Sequence, residues 1–348
     1  MSLFQPITSP PIGLDIGTQM IKAVQIGGGR DGLGVTASAC LGRSNDSALP
    51  GPEDVARVSR VLNQQGFQGR RVVLAVPGER LMSSVIDMPP RDSGAPYGQI
   101  AEQEFARLQQ MEPGRFELAW WEVPKPVRST STKVMAVGCA HTDCEPWLDV
   151  MQAGGFDVLS MDVGLCAAVR ACLPQLSAGS GVSALLDMGW GSARIALVHG
   201  GVIIFDRVLA SAGLKGLRDR VAEALQVDAG EADALLQNVG LAGGDGEGGA
   251  GDARLDTVVP MIRPYITAYL DEMMEEVDVS FEYSAHQYPD AQSTRLVVAG
   301  GGACVPGVAE YLRSRGESEV LPAEPVAVDH QAALMATACG LAGWGDQG

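Results

Sequence analysis

The chain has 348 residues, 46% of them hydrophobic, enough to bury the cores of two connected lobes, which excludes a wholly disordered polymer. With 42 Asp and Glu against 25 Lys and Arg, the net charge of -17 leaves too few cations to neutralise a run of phosphates. DNA, RNA and anionic lipid surfaces are thereby excluded as primary ligands. Seven scattered cysteines, without metal-ligand spacing to the four histidines, indicate a reduced compartment and no zinc site.

The opening residues lack a basic segment leading into an apolar core and cleavage site, and no run approaches the ~20 apolar residues of a membrane span. The expectation is a cytoplasmic protein that reaches a membrane only through a partner. In chain order, an apolar strand reaching Asp15 is followed by a Gly-permitted turn and a second strand over 21–26. Periodicity then predicts a helix over 53–65, a strand over 72–77, a helix over 99–110, a strand over 134–139, and helices over 144–153 and 165–173. A second hairpin brings strands over 194–198 and 202–209. Helices follow over 214–225, 258–286 and 305–315, with a strand over 295–299 and a closing helix over 329–342. Residues 241–252, LAGGDGEGGAGD, read as a mobile acidic loop. The division expected is a first lobe over 1–82, an inserted subdomain over 83–160, the rest of the first lobe over 161–180, a second lobe over 181–328 and a helix over 329–348.

The strongest signal is an internal repeat, LDIGTQMIKAVQIGG from Leu14 laid without a gap over LDMGWGSARIALVHG from Leu186. Asp15 matches Asp187, Gly17 matches Gly189, and Lys22 and Arg194 each follow their Asp by seven residues. Strands alternating with helices in two copies indicate α/β lobes. A phosphate chain needs backbone N–H donors at close range, a positive side chain, and carboxylates for Mg²⁺ or its waters. The first hairpin offers the amides of Gly17, Thr18 and Gln19, the Thr18 hydroxyl, the Lys22 ammonium and the Asp15 carboxylate. The second offers Gly189, Gly191 and Asp187. A third element, Gly300-Gly301-Gly302 between a buried strand and a helix, lets backbone approach a flat base and ribose.

These motifs resemble the actin-like ATPase superfamily of actin, sugar kinases, heat-shock chaperones and FtsA. Asp15-Ile-Gly-Thr is similar to its first phosphate motif, Asp187-Met-Gly to its second, and Gly300-Gly-Gly with Pro306-Gly307 to its adenosine motif. Within it the chain resembles the PilM family of type IV pilus assembly proteins. IGLDIGTQMIKAVQI, Val72-Val-Leu-Ala-Val-Pro-Gly78, Pro89-Pro90, Ala153-Gly-Gly-Phe156 and Met161-Asp-Val163 follow in that family's order. The resemblance implies an α/β actin-like (ribonuclease H-like) duplicated two-lobe fold with an FtsA/PilM-type insert, and a final helix returning to the first lobe. It implies ATP or ADP with Mg²⁺ held, through water, by Asp15 and Asp187, and a ribose contact from Asp233. It also implies a groove near residues 80–160 for the N-terminal tail of a PilN-like membrane protein, and a link to the cytoplasmic pilus motor ATPase.

The chain departs from that pattern in three places. Only Thr18 supplies a hydroxyl after the first Asp-Ile-Gly, Gly164-Leu165 stands where the family carries Glu-Pro, and Leu236 stands where a ribose-contacting lysine is expected. No general base is marked, so the expectation is at most a slow ATPase acting as a nucleotide-set scaffold. Trp190 reads as a packing or interface aromatic, Trp120-Trp121 as sheet packing, Met273-Met274 as core or interface, and His141, His199, His286 and His330 as structural or surface residues. The competing readings are a small-molecule kinase, an FtsA-like polymerising protein, against which the C-terminus offers no amphipathic membrane helix, and a type II secretion adaptor. Self-association is left open.

Overall fold

Side chains alternate across a strand, and where both faces of a sheet are apolar each face must find its own cover. The computed structural model describes residues 9–29, 32–44, 49–125, 131–209, 212–241, 255–316, 318–325 and 331–345. The first lobe opens with β1 (Ile12–Ile16), β2 (Met20–Gly29), β3 (Gly32–Gly42), α1 (Pro52–Gln64) and β4 (Arg71–Val76). Next come β5 (Leu81–Met88), α2 (Tyr97–Gln109), β6 (Phe116–Glu122) and β7 (Thr132–Ala140). The chain continues through α3 (His141–Ala153), β8 (Asp157–Val163), α4 (Gly164–Ala171) and the single turn α5 (Leu173–Leu176). The second lobe holds β9 (Val182–Met188), β10 (Ala193–His199), β11 (Val202–Leu209), α6 (Leu214–Leu225), α7 (Ala229–Asn238) and α8 (Leu255–Gln287). It ends with β12 (Ser293–Ala299), α9 (Val308–Arg315), β13 (Glu319–Pro322) and α10 (Ala332–Ala342).

Two five-stranded sheets have the same order, β3-β2-β1-β4-β8 and β11-β10-β9-β12-β13. In each, the central strand is antiparallel to the hairpin partner and parallel to the strand that follows the helices. The outward face of the first sheet, Ile12, Leu14, Ile21, Ala23, Val72 and Leu74, buries against Val55, Val58 and Leu62 of α1 and Met151 of α3. Val182, Leu186, Met188, Leu296 and Val298 do the same in the second lobe, under α6, α8 and α9. Each fully buried aliphatic side chain contributes about 1.5–3 kcal/mol.

The inward faces of the two sheets enclose α4 and α10. Leu165, Ala168 and Val169 of α4 pack on Leu185, Ala196 and Val297 of the second sheet, while Ala167 meets Val73 of the first. Met335, Ala338, Cys339 and Ala342 of α10 pack on Val24 of the first sheet. Gly13 lies under α10, where a Cβ would fall 2.1 Å from the Ala338 carbonyl oxygen, and Gly340 lies against α4, where a Cβ would fall 1.7 Å from that of Ala167.

The stretch 83–160, expected as one insert, divides in the structure. Only β5, β6 and β7 form a separate sheet, in the order β5-β7-β6 with α2 on one face. β8 instead pairs in parallel with β4, from Arg71↔Asp157 to Val76↔Val163, and α3 covers the first sheet. The pair α3–β8 thus takes the place in the first lobe that α9–β13 takes in the second. The equivalence was hidden because the two pairs share position but no sequence pattern.

β7 alternates in the same way: Val134 and Ala136 meet Phe105 of α2, whereas Met135 and Val137 join the core of the second lobe. Trp121 Nε1 donates to the Ile203 carbonyl at 2.8 Å, and the Tyr288 hydroxyl donates to the Pro124 carbonyl at 2.7 Å. Trp120, by contrast, stays within the insert against Tyr97. Met273 and Met274 are core residues, and all seven cysteines are free thiols. Most of the acidic loop 241–252, and His330, lie outside the described residues. No helix among the described residues is long and apolar enough to cross a membrane.

Candidate functional site

The β1–β2 register sets Asp15 opposite Lys22, and the β9–β10 register sets Asp187 opposite Arg194. Strand alternation turns all four toward the space between the lobes. There they line one cleft of about 210 Å³, with Gly164 of α4 and Thr337 of α10 at its base. Thr18 and Gly191 bring the two hairpin turns face to face, with the Thr18 hydroxyl 3.9 Å from where a Gly191 Cβ would stand.

Lys22 donates from Nζ to Asp15 Oδ2 at 2.6 Å, and each side chain is 14% exposed. Burial by itself lowers the Lys22 pKa, but the charge and hydrogen bond of Asp15, helped by Asp187, outweigh it and raise the value. Lys22 is therefore a firm cation at neutral pH. Asp187 is pushed up by burial first; Lys22 and Arg194 oppose this and the Asp15 charge adds to it. A raised carboxylate facing a second carboxylate is short of positive charge, a local field suited to a cation.

Each turn is braced from outside the cleft. Arg43, 1% exposed, donates to the Gly17 carbonyl at 3.3 Å and to Asp54 at 3.3 Å, and its backbone amide donates to the Gln19 carbonyl at 2.8 Å. In the second hairpin the first amides of α6 do the same, Leu214 donating to the Gly189 carbonyl at 3.1 Å and Lys215 to the Trp190 carbonyl at 2.9 Å. Gly213 is obligatory here, since a Cβ would lie 2.4 Å from the Gly191 carbonyl oxygen. With carbonyls drawn outward, the amides of Thr18 and Gln19 have no backbone partner among the described residues. The Gly17 amide, expected as a third donor, is spent on the Met20 carbonyl at 3.0 Å, which closes the turn.

Gly300 joins the third motif to the second. Its φ of 82° and ψ of -179° suit glycine alone, and a Cβ would fall 2.3 Å from Asp187 Oδ1. Gly300 and Gly301 line the cleft, as do Asp15, Gly17, Thr18, Gln19, Lys22, Asp187, Gly189 and Gly191. Two expected residues do not. Gly302 is buried, where a Cβ would meet Met188 Cβ at 2.6 Å, so it serves packing. Asp233 sits on α7, its carboxyl pushed up by burial, with Arg218 opposing and Asp219 adding; Leu236 on the same helix is drawn into the core.

Sequence reasoning missed Arg43 and Asp54, whose pairing exists only in three dimensions. It also missed Gly78, which lines the cleft after β4 as Gly300 does after β12; Trp190, expected as a packing or interface aromatic, packs on the core of the second lobe and also lines the cleft, with Arg218 4.9 Å over its ring. Among the described residues no group of three or more His, Cys, Asp or Glu forms a metal cage.

No curated protein sequence matches the chain. Among solved structures it is similar to the PilM-PilN type IV pilus biogenesis complex, with TM-score 0.75 and 21% identity over 96% of this chain and 97% of that one. It is similar to ethanolamine utilization protein EutJ from Carboxydothermus hydrogenoformans, with TM-score 0.54 and 17% identity over 97% and 91%. MreB5 of Spiroplasma citri bound to AMPPNP gives TM-score 0.53 and 12% identity over 96% and 95%. At these identities the likeness is one of fold, and the fold is actin-like. A family model described as Type IV pilus assembly protein PilM matches residues 13–342, nearly the whole chain, and the protein belongs to that family.

Proposed function

We propose that the protein is a cytoplasmic, nucleotide-set adaptor of a type IV pilus or related type II secretion machine. It closes its lobes on ATP or ADP with Mg²⁺, binds the N-terminal tail of a PilN-like inner-membrane protein, and turns nucleotide over slowly or not at all. The observation that carries this reading is the facing pair of hairpins, with Lys22, Asp15 and Asp187 converging on one cleft between braced Gly turns. A Mg²⁺ ion fits that donor set: two carboxylates are too few for an all-protein cage but suit an ion that keeps its waters and shares phosphate oxygens. When bound, the ion supplies charge neutralisation along the phosphates. Lys22 contributes a fixed cation, and the Thr18 and Gln19 amides contribute donors.

Slow turnover is favoured by the base of the cleft. Gly164 offers no side chain, and Asp162 is turned away to the Val163 amide at 2.7 Å and to Arg170 at 2.9 Å. A tail-binding role draws support from the solved PilM-PilN complex, and a groove between the first lobe and the inserted sheet, near residues 80–160, is the proposed seat. A contact with the motor ATPase belongs to the same reading.

Calorimetry with ATP, with and without Mg²⁺, tests it, using the native chain, Asp15→Ala and Lys22→Ala, with phosphate release followed on the same samples. Saturable Mg²⁺-dependent binding lost in both variants, with release near background, is expected. A native chain that binds no nucleotide sinks the proposal.

A further inference from the structure

Arg194 occupies on β10 the place that Lys22 occupies on β2, yet it bonds differently. Lys22 pairs with the Asp of its own hairpin. Arg194 leaves Asp187 and donates from Nη2 to Asp206 of β11 at 3.0 Å and from Nη1 across the cleft to the Gly78 carbonyl at 3.0 Å. Gly78 is where the chain leaves the first sheet for the insert, two residues past β4 and three before β5. A Cβ there would lie 2.8 Å from Arg194 Nη1, so the contact is close fitted. Arg194 Nε and Asp206 Oδ1 are buried without a hydrogen-bond partner, and Asp206 is only 9% exposed. One guanidinium thus lines the cleft, pins the root of the insert and keeps an unused donor.

A neutral carbonyl is a weak partner for a guanidinium, whereas a phosphate takes it in a bidentate, charge-assisted pair. We propose that Arg194 is a positioning residue that reads the terminal phosphate of a nucleoside triphosphate, giving up the Gly78 carbonyl and so freeing the root of the insert. This rests on the nucleotide reading above and adds its regulation. Because the insert also rests on the second lobe through Trp121 and Tyr288, release at Gly78 undoes only the tie between its root and β10 and leaves the rest of its seat on the second lobe in place. The cleft and the insert are in this way coupled through one side chain.

The test compares MgATP and MgADP binding by calorimetry, with hydrogen exchange over residues 77–88, in the native chain, Arg194→Lys, and the double variant Arg194→Met/Asp206→Asn. The double variant removes both buried charges together, so neither is stranded. The native chain is expected to prefer MgATP by about tenfold and to exchange faster over 77–88 with MgATP than with MgADP. Both variants are expected to keep MgADP binding while losing the preference and the exchange difference. Variants that retain both differences overturn the role of Arg194 and leave the nucleotide reading standing. A native chain that binds neither nucleotide overturns both.

Discussion

Replacing Gly340 by Ala sets two effects of opposite sign against each other. Gly340 lies in the last turns of α10, and in an exposed helix Gly→Ala stabilises by up to about 1 kcal/mol. Here the added methyl would stand 1.7 Å from the Ala167 carbonyl oxygen and 2.3 Å from its carbon, all backbone, where 3.4 Å or more is ordinary contact. No rotamer relieves a backbone clash, so α10 and α4 must part by well over an ångström. Parting them disturbs the apolar layer they share with both sheets, together with the 2.8 Å bond from Arg170 Nη1 to the Gly340 carbonyl. Overpacking of this kind costs about 1–3 kcal/mol or more, and the lost bond adds about 1 kcal/mol. The net expectation is a loss of about 2 kcal/mol or more, read as a lower urea midpoint. Gly216→Ala serves as control, since Gly216 is exposed in the first turn of α6 with nothing within 4 Å of its Cβ position, and is expected to be neutral or stabilising. Gly340→Ala as stable as the native chain would refute the close approach of the two helices.

Asp54 and Asp187 pull the acid response in opposite directions. Burial alone would raise Asp54, but the Ser44 amide and hydroxyl with Arg43 outweigh it and hold the folded pKa below the unfolded value. Its contribution is therefore full above about pH 4 and is lost as pH falls through the folded pKa. Asp54→Asn, which takes the carboxylate from the buried Arg43, should cost about 1–3 kcal/mol at pH 7 and flatten the stability profile below pH ~4. Asp187 is raised instead, so its ionised form burdens the folded state above its folded pKa and the burden lifts as pH falls. Asp187→Asn should be more stable than the native chain at pH 7, an advantage that shrinks toward acid; a loss at pH 7 would contradict the assignment. Trp121→Phe removes the bond to the Ile203 carbonyl, and a stability loss of about 1 kcal/mol with faster hydrogen exchange in β5–β7 is expected. Unchanged exchange there would mean that the insert is not seated on the second lobe.

The two hairpins were legible because their turns demand particular residues: glycine at the close approaches, and an Asp at the strand end opposite a cation. The two edge strands of the first sheet were less so. β3, GLGVTASACLG, is rich in small residues and carries little apolar contrast, although β2 pairs along its whole length. β8 has the polar pattern of an edge strand, which is why its place beside β4 was lost and the insert was drawn too long. Asp233 was expected to contact a ribose on the resemblance alone, but α7 orients by burying Ala232 and Leu236, and that choice leaves Asp233 beside α6. The pairs Arg43–Asp54 and Arg194–Asp206 join residues eleven or twelve apart with no periodic relation; only the folded strands bring them together.

The crossing of α4 and α10 has a consequence for how the molecule can be cut. Each helix closes its own lobe in sequence but lays its main apolar face on the sheet of the other, α4 on the second and α10 on the first. A fragment ending after α5 would therefore carry a helix made for a sheet it lacks, beside an inward face left bare. Such a fragment and the complementary one beginning at β9 could satisfy one another, each supplying the helix that the other's sheet needs, as the partners of a domain swap do. The full chain is that exchange made covalent, with the lobes as unlike partners of a single swap.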